Sequence, residues 1–425
     1  MTTPLLSQWQ TPCHLVLQRN QIVLGNGLRY TRPAPMIYEQ QWLWDSCFHA
    51  IVWRWLDPAC AWDELHSVVA QQISDGPDIG MIPHMNYWDG RGAAMWGDEH
   101  RSLITQPPLI ATAAWLVHEK SPNLAALQQL YPRLAAYHTW FTHRRELDND
   151  GMVWLIHPWE SGQDATPDWD MAMGFDENLI GSNAASSGKP LSTSNLLSNQ
   201  AYYQNPHDNG LRQARIQLVN TLRHYQCDAA ALRSAGSFCL APIDFNAIRC
   251  ADLEALSRIA NTLGLTDAAA HWQQKANQLQ TTIQQRLAEF TAAQFIDQPA
   301  LWLALFGGCA NQTQAEHIAN SVAHAIKTTP YALSNVSISH PAFAPARYWR
   351  GNAWPPLIWL LWSGLRRYGY HALAQTLAER SADLIHQSGF HEYFNPITGE
   401  GLGSEDHSWT TLILDMQCSN LSHHG

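Results

Sequence analysis

The sequence contains few charged residues and no stretch that would cross a membrane. Asp, Glu, Lys and Arg make up 14% of its 425 residues, against about 25% in a typical globular protein. The formal net charge is −11, which argues against a nucleic-acid surface because phosphate binding needs clustered cations. No run of about 18 apolar residues is present. We therefore expect a soluble globular protein that binds neither nucleic acid nor membrane.

Motifs for metal, nucleotide and acyl-transfer chemistry are also missing. The eight cysteines form no C-x-x-C pair, so we expect them to be reduced and buried. No histidine pair has the H-x-x-x-H spacing of a zinc site, and the sequence has no Gly-rich phosphate loop and no G-x-S-x-G elbow. Segment 148–151 (DNDG) resembles the start of a calcium loop, but Trp159 stands where that loop needs its glutamate. We predict no metal and no cofactor.

The start of the sequence gives an expectation about location. The first fifteen residues, MTTPLLSQWQTPCHL, lack both the basic region and the apolar region of a signal peptide. We therefore expect the protein to be cytoplasmic. An acidic surface is compatible with a monomer and with a symmetric oligomer, so the oligomeric state stays open.

Helical patterns dominate the chain. In segment 124–144 apolar residues recur every three or four positions, which places them on one helical face. They are Leu127, Leu130, Leu134, Tyr137 and Phe141. Segment 271–290 repeats the pattern with Trp272, Ala276, Leu279, Ile283 and Leu287. Further helices are expected at 46–56, 62–74, 108–119, 211–225, 253–263, 314–326, 353–368 and 371–388.

Four connections between these helices are long and rich in Trp, His, Gly and Pro. They are 76–107, 148–210, 327–356 and 389–409. Long loops inside a compact domain are uncommon and usually functional. Helices joined alternately by short turns and long loops suggest an all-α closed toroid of helix pairs, with one domain over 1–425 and its loops at one mouth. The Ser/Asn-rich segment 181–210 is either a lid or a disordered surface insertion.

Three of the long segments place carboxylates beside tryptophans, which are abundant at 20 residues. They read YEQQWLWDS from residue 38, HPWESGQDATPDWD from 157 and GFHEYFNPITGEGLGSEDHSW from 389. A carboxylate beside an indole ring is partly desolvated, which raises its pKa. Glycoside hydrolysis needs two carboxyl groups across the scissile bond, and indole faces stack on sugars. Solvated surface carboxylates remain the alternative at this point.

Motifs along most of the chain resemble glycoside hydrolase family 63, and its bacterial mannosylglycerate and glucosylglycerate hydrolase branch in particular. They keep the family order. The motifs are QWLWDSCFHAI (41–51), GMIPHM (80–85), TQPPLIA (105–111), HPWESGQD with TPDWD (157–170), YWRGNAWPPLIWLLWSGLRRYGY (348–370) and FHEYFNPITGEGLGSEDHSW (390–409). The resemblance implies an (α/α)6 barrel, a toroid whose long loops form the active-site mouth. It also implies a glycosidase that inverts the anomeric centre of a small α-glucoside or α-mannoside.

The resemblance also implies the catalytic pair. The Asp of the ESGxD motif, here Asp164, corresponds to the general acid, and Glu392 corresponds to the general base. In an inverting enzyme the two carboxyl groups lie about 6.5–9.5 Å apart with a water between them and the sugar. Rivals in the same segments stay open. For the acid they are Glu160, Asp168 and Asp170, and for the base Glu400 and Glu405.

Substrate-binding candidates are carried over from the same motifs. They are Tyr38, Trp42, Trp44, Asp45, Gln106, Trp159, Tyr348, Trp349, Trp354 and His407. Asp45 has the chemistry to accept hydrogen bonds from two sugar hydroxyls, and the indoles offer stacking faces. Core packing is the alternative for each tryptophan. Arg350 is expected to orient a carboxylate rather than to contact substrate.

One segment departs from the family pattern. The glycerate-ether hydrolases carry a segment resembling RPTxxEYxRY, whose Arg and Tyr bind the glycerate carboxylate. Here Asn205 and Leu211 stand near those positions, and Arg212 and Arg215 are the available substitutes, both expected on a helix. The aglycone is therefore either glycerate or neutral, such as glycerol or another sugar in a short α-gluco-oligosaccharide.

Two other functional classes are compatible with the same toroid. The first is a sugar isomerase or epimerase, which would use a pair of histidines from the His-rich loops. The second is a sugar-binding barrel with weak or no turnover. The only partner expected in all three cases is a small carbohydrate.

Overall fold

The computed structural model describes residues 4–174 and 206–421, and α-helices account for most of the ordered elements. The helices of the described ranges are α1 Pro4–Asn20, α2 Leu43–Trp53, α3 Pro58–Val68, α4 Ala93–Trp96, α5 Ile110–Lys120, α6 Leu124–Arg144, α7 Pro206–His224, α8 Ala229–Ser234, α9 Ile243–Thr262, α10 Thr266–Leu287, α11 Ala292–Asp297, α12 Gln312–Thr328, α13 Pro355–Arg367, α14 His371–Ser388 and α15 Ile413–Leu421. Short 3-10 helices span Val69–Gln71, Pro158–Ser161, Pro167–Trp169, Met171–Met173, Pro299–Leu305 and Ser408–Leu412.

Strands are few and short. They are β1 Gln21–Val23, β2 Arg29–Thr31, β3 Gln41–Trp42, β4 Met85–Asn86, β5 Tyr393–Phe394 and β6 Gly401–Leu402. They form three antiparallel pairs, β1 with β2, β3 with β4 and β5 with β6. The β3–β4 and β5–β6 pairs lie in loop segments that precede inner helices.

Six helical segments close into an inner ring. In order around the ring they are α2, α5, α9, Pro299–Leu305, α13 and the 408–421 segment, which returns to α2. An outer helix packs on each of them. These outer helices are α3, α6, α10, α12, α14 and α1. The arrangement is the (α/α)6 toroid that the sequence resemblance predicts.

The sequence explains which helices lie inside. Every residue of α2 is buried, as expected for a helix that is apolar on all sides and packed within a domain. The outer helix α10 buries one stripe, which contains the five predicted residues from Trp272 to Leu287. Its other face is Gln-rich and exposed, so the spacing of its apolar residues is that of a helix in the surface layer.

The predicted helix boundaries hold best where the apolar stripe is long. Helices α6 and α14 occupy the predicted 124–144 and 371–388. Helix α1 was not predicted because Pro12 lies inside it, and proline normally interrupts a helix. Short segments such as α8 and α11 contain too few turns to show a period.

The long connections meet at one end of the toroid. Three of the four predicted long loops, 76–107, 327–356 and 389–409, run from an outer helix to the start of the next inner segment, whereas 148–210 leads from α6 into α7. The amino-terminal ends of the inner segments and these loops therefore share one face. The lid predicted at 181–210 lies outside the described residues up to 205, and residues 206–210 begin α7.

The structure can be compared with two expectations from the sequence, one about membrane-spanning segments and one about the cysteines. No helix in the described ranges is both long and apolar enough to span a bilayer. All eight cysteines are free thiols, and seven of them are buried. The prediction that they are reduced and mostly structural is consistent with this arrangement.

Candidate active site

A small cavity of about 60 Å³ lies where the long loops meet the inner helices. Ten of the twelve candidate residues line it. They are Tyr38, Trp42, Trp44, Asp45, Gln106, Asp164, Tyr348, Trp349, Glu392 and His407. The wall therefore collects residues from five separate loops, which the sequence could associate only through family motifs.

Two candidates lie outside the wall. Trp354 stacks flat on Trp349, with ring centroids 3.6 Å apart. Trp159 packs against His157 and His84, with centroids 4.5 and 6.4 Å away. Both indoles support residues near the cavity, and neither contributes to its lining. The core-packing alternative therefore describes their observed position.

Asp164 faces the cavity just after the 3-10 helix Pro158–Ser161. Burial raises the pKa of its carboxyl to about 7, with the positive charge of Arg215 opposing the shift and the charge of Glu392 adding to it. No side chain in the described ranges hydrogen-bonds to this carboxyl. The arrangement gives a carboxylic acid that is largely protonated below neutral pH, as a proton donor requires.

A glycine sets the approach of the loop to the sugar-binding wall. Gly162 has φ +71°, and a Cβ at this position would lie 2.5 Å from the ring of Trp44. Any other residue would force the indole or the loop to move. The glycine thus lets Asp164, two residues later, lie beside the Trp44 ring.

The rival acid Glu160 is occupied by a structural role. Its carboxylate forms a bidentate ion pair with Arg145, at 2.9 and 2.8 Å, and both side chains are almost fully buried. It also accepts hydrogen bonds from the backbone N–H groups of Ile156 and Thr105, at 2.7 and 3.3 Å. Glu160 therefore anchors the loop that carries Asp164.

We expect Arg145→Met to lower the free energy of unfolding by about 3–5 kcal/mol, because it leaves the Glu160 charge buried without its cation. Urea unfolding of the purified variant measures this change. A matched control is Arg233→Gln, which breaks the exposed pair with Asp148 and should change the free energy by less than about 1 kcal/mol. Equal, small effects of both substitutions would contradict the anchoring role.

The other two rivals also have partners. Asp170 pairs with both terminal nitrogens of Arg350, at 2.5 and 2.6 Å. This pairing agrees with the expectation that Arg350 orients a carboxylate. Asp168 is exposed and accepts a hydrogen bond from the Thr166 hydroxyl at 3.2 Å. Among the four carboxylates of segment 157–170, Asp164 is the one that lines the cavity.

Glu392 lies across the cavity wall from this loop, just before strand β5. Its carboxylate accepts hydrogen bonds from the Tyr38 hydroxyl at 2.8 Å and from the Ser404 backbone N–H at 3.1 Å. The residue is 1% exposed. These two hydrogen bonds fix the position of the carboxylate in the cavity wall.

The rival bases lie away from the cavity. Glu400 and Glu405 are both exposed, and neither belongs to the wall. Glu405 follows Ser404, whose backbone N–H binds the Glu392 carboxylate, but the Glu405 side chain itself is exposed. The geometry therefore favours Glu392 among the three carboxylates of this loop.

Asp45 and His407 supply two further polar groups. Burial raises the pKa of Asp45 to about 7, opposed by His49 and reinforced by Glu392 and Asp164. Burial lowers the pKa of His407 well below its usual value, so its ring is neutral at physiological pH. His407 Nδ1 lies 2.6 Å from the Ser404 hydroxyl, and its Nε2 has no hydrogen-bond partner in the described structure.

The wall contains strained backbone at Trp349. This residue has φ +61°, in the left-handed region that large side chains rarely adopt. Its carbonyl accepts a hydrogen bond from the Asn335 side chain at 3.1 Å, and its ring is held by Trp354. Such strain is typical of functional sites, where surrounding contacts hold an unfavourable conformation.

Sequence reasoning missed three residues of the wall, namely Pro33, Gly162 and Trp409. Trp409 donates a hydrogen bond from its indole nitrogen to the Glu392 carbonyl at 2.8 Å. Its place two residues after His407 in the last motif was the available signal. His407 is the one histidine among the described wall residues, so the pair expected for an epimerase is not found there.

Comparisons with known proteins find relatives over nearly the whole chain. Residues 38–410 match the model of the mannosylglycerate hydrolase MGH1-like glycoside hydrolase domain. The chain is 31% identical to a mannosylglycerate hydrolase of Thermus thermophilus, over 94% of this chain and 97% of the relative. It is 27% identical to a glucosylglycerate hydrolase of Mycolicibacterium hassiacum, over 95% of this chain and 98% of the relative.

A solved structure shows the same architecture. A GH63 mannosylglycerate hydrolase from Thermus thermophilus, in complex with Tris and D-glycerate, aligns with a TM-score of 0.82 at 28% identity. The alignment covers 97% of this chain and 100% of that chain. The similarity therefore includes the whole toroid and the loops that form the cavity.

Proposed function

Because the chain belongs to the mannosylglycerate hydrolase MGH1-like family and is a glycoside hydrolase, we propose that it hydrolyses an α-mannoside or α-glucoside of a small hydroxy acid. The reaction inverts the anomeric centre. The supporting observation is that Asp164, whose pKa is raised to about 7, and Glu392 line the same cavity. The glycerate complex of the Thermus relative supports the type of aglycone.

In the proposed reaction Asp164 and Glu392 act on opposite faces of the sugar. Asp164 donates its proton to the glycosidic oxygen as the bond to the anomeric carbon breaks. Glu392 accepts a proton from the water that attacks the other face, so Asp164 ends charged and Glu392 ends protonated. The Tyr38 hydroxyl and the Ser404 N–H each hold one oxygen of Glu392 and so fix the orientation of the carboxylate.

The rest of the wall suits a sugar ring. The indoles of Trp42 and Trp44 line the cavity, and Asp45 lies beside them at 3% exposure. Trp349 also lines it, but its ring has no exposed area and Trp354 covers one face. Gln106 is positioned by the hydrogen bond that its side-chain oxygen accepts from the Trp44 backbone N–H at 3.3 Å. Stacking and hydroxyl recognition of this kind fix a hexose against the catalytic pair.

Arg215 supports a negatively charged aglycone. This residue is 4% exposed on α7, and it forms no ion pair in the described part of the chain. Its charge acts on Asp164, the proposed acid that protonates the leaving group, although Arg215 is not among the residues that line the cavity. A buried cation without a counter-ion is unfavourable, and the carboxylate of a hydroxy-acid aglycone would supply one. Arg215 would then replace the family residues missing at Asn205 and Leu211.

We expect Arg215→Gln to raise KM for mannosylglycerate about 10- to 100-fold, since a hydrogen bond to a charged group contributes about 1.5–3 kcal/mol. The KM for mannosylglycerol, which lacks the carboxylate, should change less than threefold. The alkaline limb of kcat/KM, set by Asp164 with a pKa of about 7, should move to higher pH because the variant removes a nearby positive charge.

Arg223→Gln is the matched control, because Arg223 is exposed on the same helix. It should leave both KM values and the pH profile unchanged. Equal effects of Arg215→Gln on the charged and neutral substrates would contradict the carboxylate site and favour a neutral aglycone. A higher wild-type kcat/KM for mannosylglycerol than for mannosylglycerate would also favour a neutral aglycone. Neither result would affect the roles of Asp164 and Glu392.

The cytoplasm is the proposed location. All eight cysteines are free although the chain contains enough of them for four disulfides. Free thiols are the usual state in a reducing compartment. The observation supports the expectation from the sequence.

A further inference from the structure

A second cavity lies apart from the active site. It has a volume of about 450 Å³ and lies at the opposite end of the toroid. Helix α2 begins at Leu43, beside the catalytic cavity, and ends at Trp53, whose neighbours Arg54 and Trp55 line the second cavity. Its 11 residues separate the two sites by about 16 Å. Helices α5, α13 and α15 reach the second cavity in the same direction, through Lys120, Arg366 and Ser419.

A satisfied ion pair forms the floor of this cavity. Arg54 donates to Asp415 at 2.6 Å, and the indole nitrogens of Trp55 and Trp359 donate to the same carboxylate at 2.7 and 2.9 Å. The Asp415 carboxylate therefore accepts hydrogen bonds from three donors, one of which is the cation Arg54. Arg54 is 7% exposed, and two of its three nitrogens have no hydrogen-bond partner in the described structure.

Two more cations lie over indole rings. The Lys120 ammonium is 4.2 Å from the centroid of Trp55, and the Arg366 guanidinium carbon is 4.7 Å from that of Trp362. Lys120 has no ion pair with any described carboxylate. Its neighbour Glu119 is the one other acidic residue that lines the cavity. Among the described residues that line the cavity, three are cations and two are carboxylates, on a chain whose net charge is −11.

Helix capping accounts for part of this pattern. Cations are favourable at carboxyl ends of helices, and Arg366 donates to the Ser419 carbonyl at 3.1 Å. Capping does not require a cavity, however, and it does not require three indoles around the cations. A ligand cavity typically has a volume of about 300–1,000 Å³ with mostly apolar walls and a few convergent polar groups, and this cavity has these properties.

We propose that this cavity is a second binding site, for a small organic oxyanion such as a sugar phosphate or a sugar carboxylate. The oxyanion lies between Lys120 and Arg366, and the organic part of the ligand extends over Trp55, the partly buried indole of the wall. Both anionic groups share the chemistry that guanidinium and ammonium groups recognise. The proposal is independent of the glycosidase substrate, because no residue of this cavity belongs to the catalytic wall.

The test is calorimetric titration of the full chain with glucose 6-phosphate, glucuronate, inorganic phosphate and glucose. At least one of the two sugar anions should bind with a submillimolar Kd, and glucose should bind at least tenfold more weakly. Lys120→Gln and Arg366→Gln should each weaken the sugar anion about tenfold or more. Lys327→Gln, an exposed lysine on α12, is the control and should change nothing. Hydrolytic kcat/KM should stay within twofold in all three variants.

The two sugar anions distinguish a phosphate-binding site from a carboxylate-binding site. Tighter binding of glucose 6-phosphate than of glucuronate would assign a phosphate site, and the reverse order would assign a carboxylate site. Absence of binding by both anions at millimolar concentration would overturn the proposal. Binding that survives both Lys120→Gln and Arg366→Gln would also overturn it, because the anion would then lie elsewhere. Each variant should unfold with the wild-type Tm, which would show that a loss of binding does not result from misfolding.

Discussion

Asp164→Asn will lower kcat for mannosylglycerate or glucosylglycerate by about 10²–10⁴-fold, the usual contribution of a general acid. The amide keeps the size of the carboxyl group but has no proton to give to the leaving oxygen. The loss should shrink to less than about tenfold on a 2,4-dinitrophenyl glycoside, because this leaving group departs without protonation. Steady-state kinetics on both substrates measure the difference.

The pH profile gives a second, independent readout for Asp164. Its pKa of about 7 means that the acid is protonated below pH 7 and is lost as the pH rises above it. The wild-type kcat/KM should therefore fall on the alkaline side, and this limb should disappear in Asp164→Asn.

Two control variants make the Asp164 assignment specific. Glu160→Gln should lower stability through the Arg145 pair, whereas Asp168→Asn, at an exposed carboxylate, should leave kcat within about threefold. An equal loss of activity on the glycerate and dinitrophenyl substrates in Asp164→Asn would contradict the acid role. In that case the residue would act by binding or by loop position.

Glu392→Gln will lower kcat by about 10³-fold or more on every substrate, including the dinitrophenyl glycoside. The reason is that a general base activates the attacking water, a step that a better leaving group does not bypass. The Tyr38 hydroxyl and the Ser404 N–H should still hold the amide, so the variant should fold normally. Circular dichroism and thermal unfolding check that it does.

Rescue by azide distinguishes a base from a structural residue. In Glu392→Ala, sodium azide can attack without deprotonation and should restore turnover of the dinitrophenyl α-glycoside. The product should be the β-glycosyl azide, identified by proton NMR. Glu400→Gln and Glu405→Gln are the controls, and since both residues are exposed they should keep activity within about twofold. An α-glycosyl azide, or full activity in Glu392→Gln, would contradict the assignment.

The sequence predicts the architecture well because its signals are local. The Leu127 to Phe141 stripe defines α6, and the stripe from Trp272 to Leu287 defines the buried face of α10. The length and composition of the connections indicate that the loops gather at one mouth. The single domain over 1–425 and the lid at 181–210 stay predictions.

The parts of the site that the sequence does not predict depend on distant contacts. The Arg145–Glu160 pair and the Arg350–Asp170 pair each depend on how separate loops dock. Trp354 and Trp349 are five residues apart in one motif, yet only Trp349 lines the cavity. A helical period places Arg215 on α7 but does not give the rotation of that helix relative to Asp164. These positions depend on the closed ring rather than on any short segment.

The most direct test of the central claim is proton NMR of the first minutes of hydrolysis, with the purified protein and either mannosylglycerate or glucosylglycerate. A water held by Glu392 attacks the face opposite the leaving group, so the β-anomer of the free sugar should accumulate before mutarotation. Release of the α-anomer would contradict the inverting mechanism and the roles of Asp164 and Glu392.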